Sequence, residues 1–537
     1  MNKADFLNYP FRSKRNTVFA KNGIVATSQP LAAQAGLRIL QKGGNAIDAA
    51  IATAAALTVV EPTSNGIGGD AFSIVYKDGK LSGLNGSGRS PKSISAKKLR
   101  DNGYEEMEKF GWLPVTVPGV PASWAKLSER FGKLDFEELF EPAVEYAEKG
   151  YPISPTLGYY WNRAYNLYKD NLDGEEFENW FNTFAPKGRA PKIGEVWKSE
   201  DHARTLREIA ETKANSFYKG NIAEEIDEYS RKYNGYLRKE DLASFEVEWV
   251  DPIKVNYRGY DVWELPPNGQ GLAALMALGI LDEYNFKEKE NVDTYHKQIE
   301  AMKLAMTDGK TYITDRDEMK YKVSELLSKE YLSKRRDLIS DKALLPEAGK
   351  PEKGGTVYLA VADNEGNMIS YIQSNYMGFG SGLVVPDRGI ALQNRGHLFS
   401  LDENHDNVLK GGKKTYHTII PAFLTKNDKA VGPFGVMGGY MQPQGHVQVA
   451  MNTIDFALNP QAALDAPRWQ WMEDKKVIVE KDFPSNIAQQ LSRRGHDIEV
   501  KLNSGAFGRG QIIWRDNENG VLRAGTEPRT DGCIASY

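Results

Sequence analysis

The longest apolar run in the chain is "AIDAAIATAAALTVV", Ala46 to Val60. It is too short to span a bilayer, which takes about 20 residues, and it carries Asp48. A helix that is apolar on every side has to be buried on every side, so this one demands a large core around it. The flanks agree. Asn45 follows Gly43 and Gly44 and is a good N-cap, and Pro62 stops the helix. With 537 residues, 41% of them hydrophobic, the chain can build one or two large cores.

Around this helix the first 150 residues read as mixed α and β. "GIVATSQPLAAQAGLRILQKGG" is a short strand, a turn and a helix ended by glycine. "AFSIVYKDGKLSGLNGSG" is a hairpin turning at Asp78-Gly79. "LDFEELFEPAVEYAEKG" is amphipathic and helical, closed by Gly150. Residues 151–330 are mostly helical, interrupted by the extended piece "WVDPIKVNYRGYDVWELPPNGQG". Residues 337–355, "DLISDKALLPEAGKPEKGG", have linker composition. After Thr356 strands dominate: "TVYLAVAD", "MISYIQSN", "GLVVPD", "GIALQN", "HTIIPAFLT" and "GPFGVMGG". Helices follow in "QPQGHVQVAMNTIDFAL" and "PSNIAQQLSRRG". Strands in tight succession followed by helices predict layered, mainly antiparallel α+β packing.

Charge and cysteine content exclude some functions. The 68 basic and 72 acidic residues give a net charge of −4, so no nucleic-acid footprint is expected. Cys533 is the single cysteine, which rules out an internal disulfide and suits a reducing compartment. The N-terminus, "MNKADFLNYPFRSKRNTVFAKNG", lacks the apolar h-region of a signal peptide, so a cytoplasmic protein with no membrane partner is expected. The seven histidines, His202, His296, His397, His405, His417, His446 and His496, show no metal-ligand spacing, and neither a metal nor a cofactor is expected. His296 and Glu300, four apart on a helix, read as a surface or core pair. Cys533 reads as a small packing residue rather than a nucleophile.

The junction Gly354-Gly355-Thr356 joins the linker to a strand. One reading is a loop entering a strand, where glycine and threonine are both common. The other is autoproteolysis. Gly355 lets the backbone bend so that the Thr356 hydroxyl attacks the preceding carbonyl, and cleavage frees an N-terminal threonine. Such a residue carries its own nucleophile and its own base, an α-amine with a pKa of about 7.7–8.0.

The surroundings favour the second reading. "GGNAIDAAIATAAALTVVEP" with "GIGGDAF", "VTVPGVPASW", "YRGYDVWELPPNGQG", "IEAMKLAMTDG", "GGTVYLAVADNEGN", "FGSG", "VMGG", "DAPRW" and "TEPRTDG" occur in order over nearly the whole chain. Together they resemble the γ-glutamyltransferase (glutathione hydrolase) family of N-terminal nucleophile hydrolases, in its signal-less bacillus-type branch. The resemblance implies a four-layer αββα sandwich. It also implies a precursor cut between Gly355 and Thr356 into a large subunit, 1–355, and a small catalytic subunit, 356–537, intertwined as one domain. It implies Thr356 as nucleophile, Ser374 as the hydroxyl bonded to it, and the N–H groups of Gly438 and Gly439 as the oxyanion hole. The substrate implied is a γ-glutamyl or other acyl amide.

The substrate pocket departs from the family pattern. Where the family has an arginine that grips the substrate's α-carboxylate, this chain has Ser87, with Arg89 two residues on. The position of the amino-binding aspartate holds Leu398, with Arg395 nearby. A family asparagine falls on Tyr376, beside Asn375, and the paired carboxylate-binding serines fall on His417 and Thr418. The lid segment, roughly 401–416, is short. A zwitterionic head group without matched partners is costly to bury, so weak turnover of glutathione is expected. Two alternatives stand beside the family activity. One is an acylase for a cephalosporin-type or polyglutamyl acyl group, and the other is an inactive binding relic.

Overall fold

The computed structural model describes residues 15–346 and 355–537. Residues 347–354 of the linker, Gly354 among them, lie outside the described residues. Two seven-stranded sheets face each other. The first runs, edge to edge, through Cys533–Ser536, Gly23–Thr27, Gly355–Asp363, Met368–Tyr376, Asp70–Lys77, Lys80–Gly86 and Glu248–Val250. The second runs through Val18–Ala20, Leu522–Thr526, Arg509–Arg515, Lys429–Met437, Ala422–Lys426, Tyr260–Glu264 and Ile253–Tyr257. Every pairing in both sheets is antiparallel. Their inner faces share a core that includes Ile24, Phe72, Tyr358, Phe423 and Ile513. The approach is close where the strand Lys429–Met437 crosses the strand Gly355–Asp363. A Cβ on Gly435 would come within 2.5 Å of the Tyr358 ring.

Helices cover both outer faces. Pro30–Gln41 and Ala46–Val60 lie on the first sheet, and Gly271–Leu281, Val292–Tyr312 and Met441–Ile454 lie on the second. The result is the expected α+β sandwich in αββα layers. All fifteen residues of Ala46–Val60 are buried. Its capping box is formed: the Asn45 side chain accepts from the N–H groups of Ile47 and Asp48, and Asp48 accepts from the Asn45 N–H at 3.0 Å. The Ala46 N–H donates to Asp363 Oδ2 at 2.8 Å, which ties this helix to the far end of the strand that begins at the junction.

Two expected strands are absent. "GLVVPD" and "GIALQN" fold as loops joined by the single bridges Val384–Ala391 and Gly68–Leu392. Positive φ at Gly380, Gly382, Asp387 and Gly389 turns the chain too often for extended pairing. The strand expected over "HTIIPAFLT" begins only at Ala422. The Asp78-Gly79 turn is formed, with φ of 51° and 78°, as a two-residue hairpin with positive φ at both central positions requires. Among the described residues no helix is long and apolar enough to cross a membrane.

Candidate active site

The strand Gly355–Asp363 pairs with Met368–Tyr376 across a β-bulge at its first residues. Gly355 faces Tyr376 and Val357 faces Gln373, so Ser374 and Asn375 together stand against Thr356. A bulge re-aims side chains, and here it turns two hydroxyls toward each other. Thr356 Oγ1 donates to Ser374 Oγ at 3.3 Å, and the Tyr376 N–H donates to the same oxygen at 2.8 Å. Tyr376 has φ of +75°, a left-handed conformation that costs a bulky residue roughly 1–3 kcal/mol. The hydrogen bond to Ser374 helps hold it there. Thr356 and Ser374 are both buried, at 1% and 0% exposure. Asn375 lies beside them with neither side-chain amide atom hydrogen-bonded among the described residues. It is wedged against Gly66 and Gly69, where added Cβ atoms would meet it at 2.9 and 2.7 Å.

From the second sheet, the strand ending at Met437 leads into Gly438 and Gly439 and then into the helix Met441–Ile454. Gly438 has φ of +135° and Gly439 of +57°. The first value belongs to glycine alone, and a Cβ at Gly438 would lie 3.0 Å from the Gly508 Cα. Their carbonyls accept from the N–H groups of Met441 and Gln442 at 3.0 and 3.2 Å. The carbonyls are thus committed to the helix, and the turn sits at its N-terminus, where the dipole favours a developing negative charge.

The acyl-pocket candidates gather around Arg395, which opens a short 3-10 turn, Arg395–Leu398. Arg395 is fully buried. Its Nη1 donates to Thr418 Oγ1 at 2.7 Å, and its guanidinium lies 4.5 Å from the centre of the Tyr376 ring. Its Nε is 3.9 Å from Asp70 Oδ2, and neither Nε nor Nη2 has a hydrogen-bond partner among the described residues. Burial pushes this guanidinium down to about 10, against the pull of Asp70, so it keeps its charge at neutral pH.

Asp70 stands directly opposite Ser374 in the neighbouring strand. Its Oδ1 accepts from the Gly88 N–H at 3.1 Å and from Gln393 Nε2 at 2.8 Å. Its Oδ2 is 2.9 Å from His417 Nε2. The Ile419 N–H donates to His417 Nδ1 at 3.3 Å, so that nitrogen is the acceptor and Nε2 carries the proton given to Asp70. Burial, with Arg395 and Lys414 nearby, pushes His417 well below its ordinary value and keeps it neutral. Burial pushes the Asp70 carboxyl up to about 7, against the pull of Arg395 and of the Gly88 and Gln393 donors.

The sequence-predicted residues therefore separate. Thr356, Ser374 and Asn375 meet at the bulge, and Tyr376 bonds Ser374. Arg395 reaches this group through the Tyr376 ring and holds Thr418, while His417 reaches it through Asp70, which stands opposite Ser374. Arg89 is held elsewhere. Its guanidinium, 41% exposed, bonds Asp315 at 2.7 Å, Glu248 at 3.2 Å and the Gly412 carbonyl at 3.1 Å. Ser87 Oγ donates to Asn85 Oδ1 at 2.7 Å and accepts from Asn268 Nδ2 at 3.2 Å. Leu398 is half-buried, and its carbonyl accepts from Asn407 Nδ2. The expected lid segment is pinned down: the N–H groups of Ser90 and Ala96 donate to the carbonyls of Lys413 and Leu409 at 2.9 and 3.0 Å. Two surface hollows on residues 200–221 and their neighbours, one of about 530 Å³ over Arg204, Glu225 and Arg388, are lined by other residues.

Two functional candidates were not singled out from the sequence. Asp70 sits in "GIGGDAF", and a lone acid at the head of an apolar strand was the signal. Gln270, in "NGQG", is fully buried and bonds both Gly439 and Thr418. The His296 and Glu300 pair belongs to the core rather than the surface. His296 and Glu300 are buried with His496 on one cluster whose ligand-type atoms lie within 4.8 Å of one another. Yet Lys303 Nζ is 2.7 Å from Glu300 Oε1 and His496 Nε2 is 2.8 Å from His296 Nδ1. An ammonium and a histidine–histidine hydrogen bond already fill the space a cation would need.

Comparison with known proteins places this geometry in context. A family model described as gamma-glutamyltranspeptidase matches residues 32–537. The chain is 34% identical to the glutathione hydrolase-like YwrD proenzyme of Bacillus subtilis, over 96% of this chain and 98% of that one. It is 32% identical to the oxamate amidohydrolase proenzyme of Klebsiella pneumoniae, over 96% and 98%. The crystal structure of a cephalosporin acylase from Bacillus halodurans superposes with a TM-score of 0.97 at 62% identity, covering 99% of each chain.

Proposed function

We propose, on the premise that the chain belongs to the gamma-glutamyltranspeptidase family, that it is a self-processing amide hydrolase and acyltransferase of the γ-glutamyltransferase and glutathione hydrolase type, with Thr356 as nucleophile. The observation that carries this reading is the bulge at Thr356, which sets its buried hydroxyl 3.3 Å from Ser374 Oγ. In the precursor, Thr356 Oγ1 attacks the Gly355 carbonyl carbon and the peptide shifts to an ester. Water then hydrolyses the ester, leaving a Gly355 carboxylate and a free Thr356 α-amine. In turnover that amine takes the hydroxyl proton as Oγ1 attacks the acyl carbonyl. The N–H groups of Gly438 and Gly439 stabilise the tetrahedral oxygen, each such donor being worth roughly 2.7–4 kcal/mol. The amine returns the proton to the leaving nitrogen, and the acyl ester passes to water or to an acceptor amine. The amide of Asn375, unbonded in the uncut chain, lies where a new α-amine needs a partner.

A second reading concerns the donor. Arg395 has guanidinium nitrogens without hydrogen bonds, while both Asp70 oxygens are already bonded. This favours an acyl group that ends in a carboxylate and lacks a free amine. The resemblance to a protein named as a cephalosporin acylase supports the same donor class.

N-terminal sequencing of the purified protein tests the main reading. The expected result is two chains, the smaller starting at Thr356, with both processing and amide hydrolysis abolished in Thr356→Ala. An active protein that stays one uncut chain would overturn it.

A further inference from the structure

We infer that Gln270 is a positioning residue for the proposed amide hydrolysis, its side-chain amide locking the oxyanion turn at Gly439 to the acyl-pocket segment at Thr418. The inference rests on the proposed function and adds a part to it. Gln270 precedes the helix Gly271–Leu281 and is fully buried. Its own backbone is fixed first, because its N–H donates to the His417 carbonyl at 2.9 Å. The side chain then uses both amide protons on main-chain carbonyls, at 2.9 Å to Gly439 and 2.6 Å to Thr418. Its Oε1 accepts from Tyr416 Oη at 2.8 Å. The orientation is unique, since a flipped amide would set an oxygen against two carbonyl oxygens.

Two consecutive glycines at positive φ have many backbone states to choose from. The direction of the Gly438 and Gly439 N–H groups therefore depends on what holds the neighbouring carbonyls. At Gly439 those holders are the helical N–H of Gln442 and the side chain of Gln270. Gln442 makes a lesser tie to the same segment, its Oε1 accepting from the Ile420 N–H at 2.9 Å. Thr418 completes the link, because its hydroxyl accepts from Arg395. One buried amide thus joins the group that grips the acyl chain to the turn that receives the tetrahedral oxygen. Loss of this tie should act on the transition state more than on substrate binding.

The test compares Gln270→Met, Gln270→Glu and Tyr416→Phe with the wild type, with kcat counted per processed chain. Gln270→Met keeps the shape and removes both donors. It should lower kcat roughly 30- to 100-fold, the scale expected when reacting groups are misplaced by about 1 Å. KM should stay within threefold of the wild type. Gln270→Glu places a carboxyl against two carbonyls, so it will hold its proton and donate once. Its kcat should lie between those of Gln270→Met and the wild type and should rise as pH falls. Unchanged kcat in Gln270→Met, or a KM that rises as much as kcat falls, would overturn the inference. If Gln270→Met has no cooperative melting transition or is never processed, Tyr416→Phe decides. A threefold or larger fall in kcat with KM unchanged supports the inference, and an unchanged kcat overturns it. A wild type that neither cuts itself nor hydrolyses amides would instead sink the proposed function.

Discussion

Arg395 keeps its positive charge with no surface exposed to water. Such a charge is tolerated only when it is paired, and Asp70 at 3.9 Å is a loose partner. A substrate carboxylate that bonds Nη2 would complete the pairing. Arg89 has no such need, because Asp315 and Glu248 already neutralise it. The two arginines should therefore behave differently. In steady-state assays with glutaryl and γ-glutamyl anilides, Arg395→Ala should lower kcat/KM for the glutaryl donor about 10- to 100-fold, the scale of a lost charged hydrogen bond. Arg89→Ala should leave it within threefold. The wild type should accept glutaryl at least as well as γ-glutamyl. A hundredfold preference for γ-glutamyl would mean that another acid binds the amine.

Between elements, a pH-sensitive joint lies where the helix Val292–Tyr312 meets the chain before the junction. His296 Nε2 donates to the Ser340 carbonyl at 2.7 Å, and the Leu344 N–H donates to Glu300 Oε2 at 2.8 Å. His496 completes the cluster from the C-terminal part of the chain. Burial, with Lys303, His296 and Arg494 nearby, pushes His496 down to about 2. It stays neutral in the fold, whereas in the unfolded chain it takes a proton below about pH 6.5. The unfolded state then binds more protons, so stability is lost as pH falls below about 6.5, at about 1.4 kcal/mol per pH unit for this group. In the uncut Thr356→Ala background, urea unfolding at pH 6.5 and pH 5 measures this loss. Adding His496→Gln should reduce it by about 2 kcal/mol. An identical loss with and without His496 would show that the group is not buried neutral.

At the scale of the whole molecule, the two parts that cleavage would create are woven through both sheets. In the first sheet Gly355–Asp363 pairs with Gly23–Thr27 on one side, and Met368–Tyr376 pairs with Asp70–Lys77 on the other. In the second, Leu522–Thr526 pairs with Val18–Ala20, and Ala422–Lys426 with Tyr260–Glu264. Cys533–Ser536 also pairs with Gly23–Thr27, so separating the chains would break five strand pairings and open the core between the sheets. The processed fragments should therefore co-migrate in gel filtration and melt in one cooperative transition. A smaller fragment that elutes alone would contradict an intertwined domain.

Local pattern carried much of this into the sequence. The burial of Ala46–Val60 follows from an apolar face all round, its cap from Asn45, and the Asp78-Gly79 turn from residues that tolerate positive φ. The junction at Thr356, the hydroxyl of Ser374 and the glycine pair are residues whose chemistry can be named without neighbours. The loops over 382–393 were misread because β-branched residues suggest strands, while scattered glycines there prevent the pairing. Only the tertiary structure decided which arginine joins the buried cluster beside Ser374, since Arg395 owes its place to Thr418, Tyr376 and Asp70, and Asp70 lies 325 positions away in sequence. The same holds for Gln270, whose three bonds reach segments about 150 to 170 residues distant. Backbone period and turn chemistry act over a few residues and can be read along the chain. Which buried polar groups meet depends on contacts across the two sheets, and these exist only once the chain has folded.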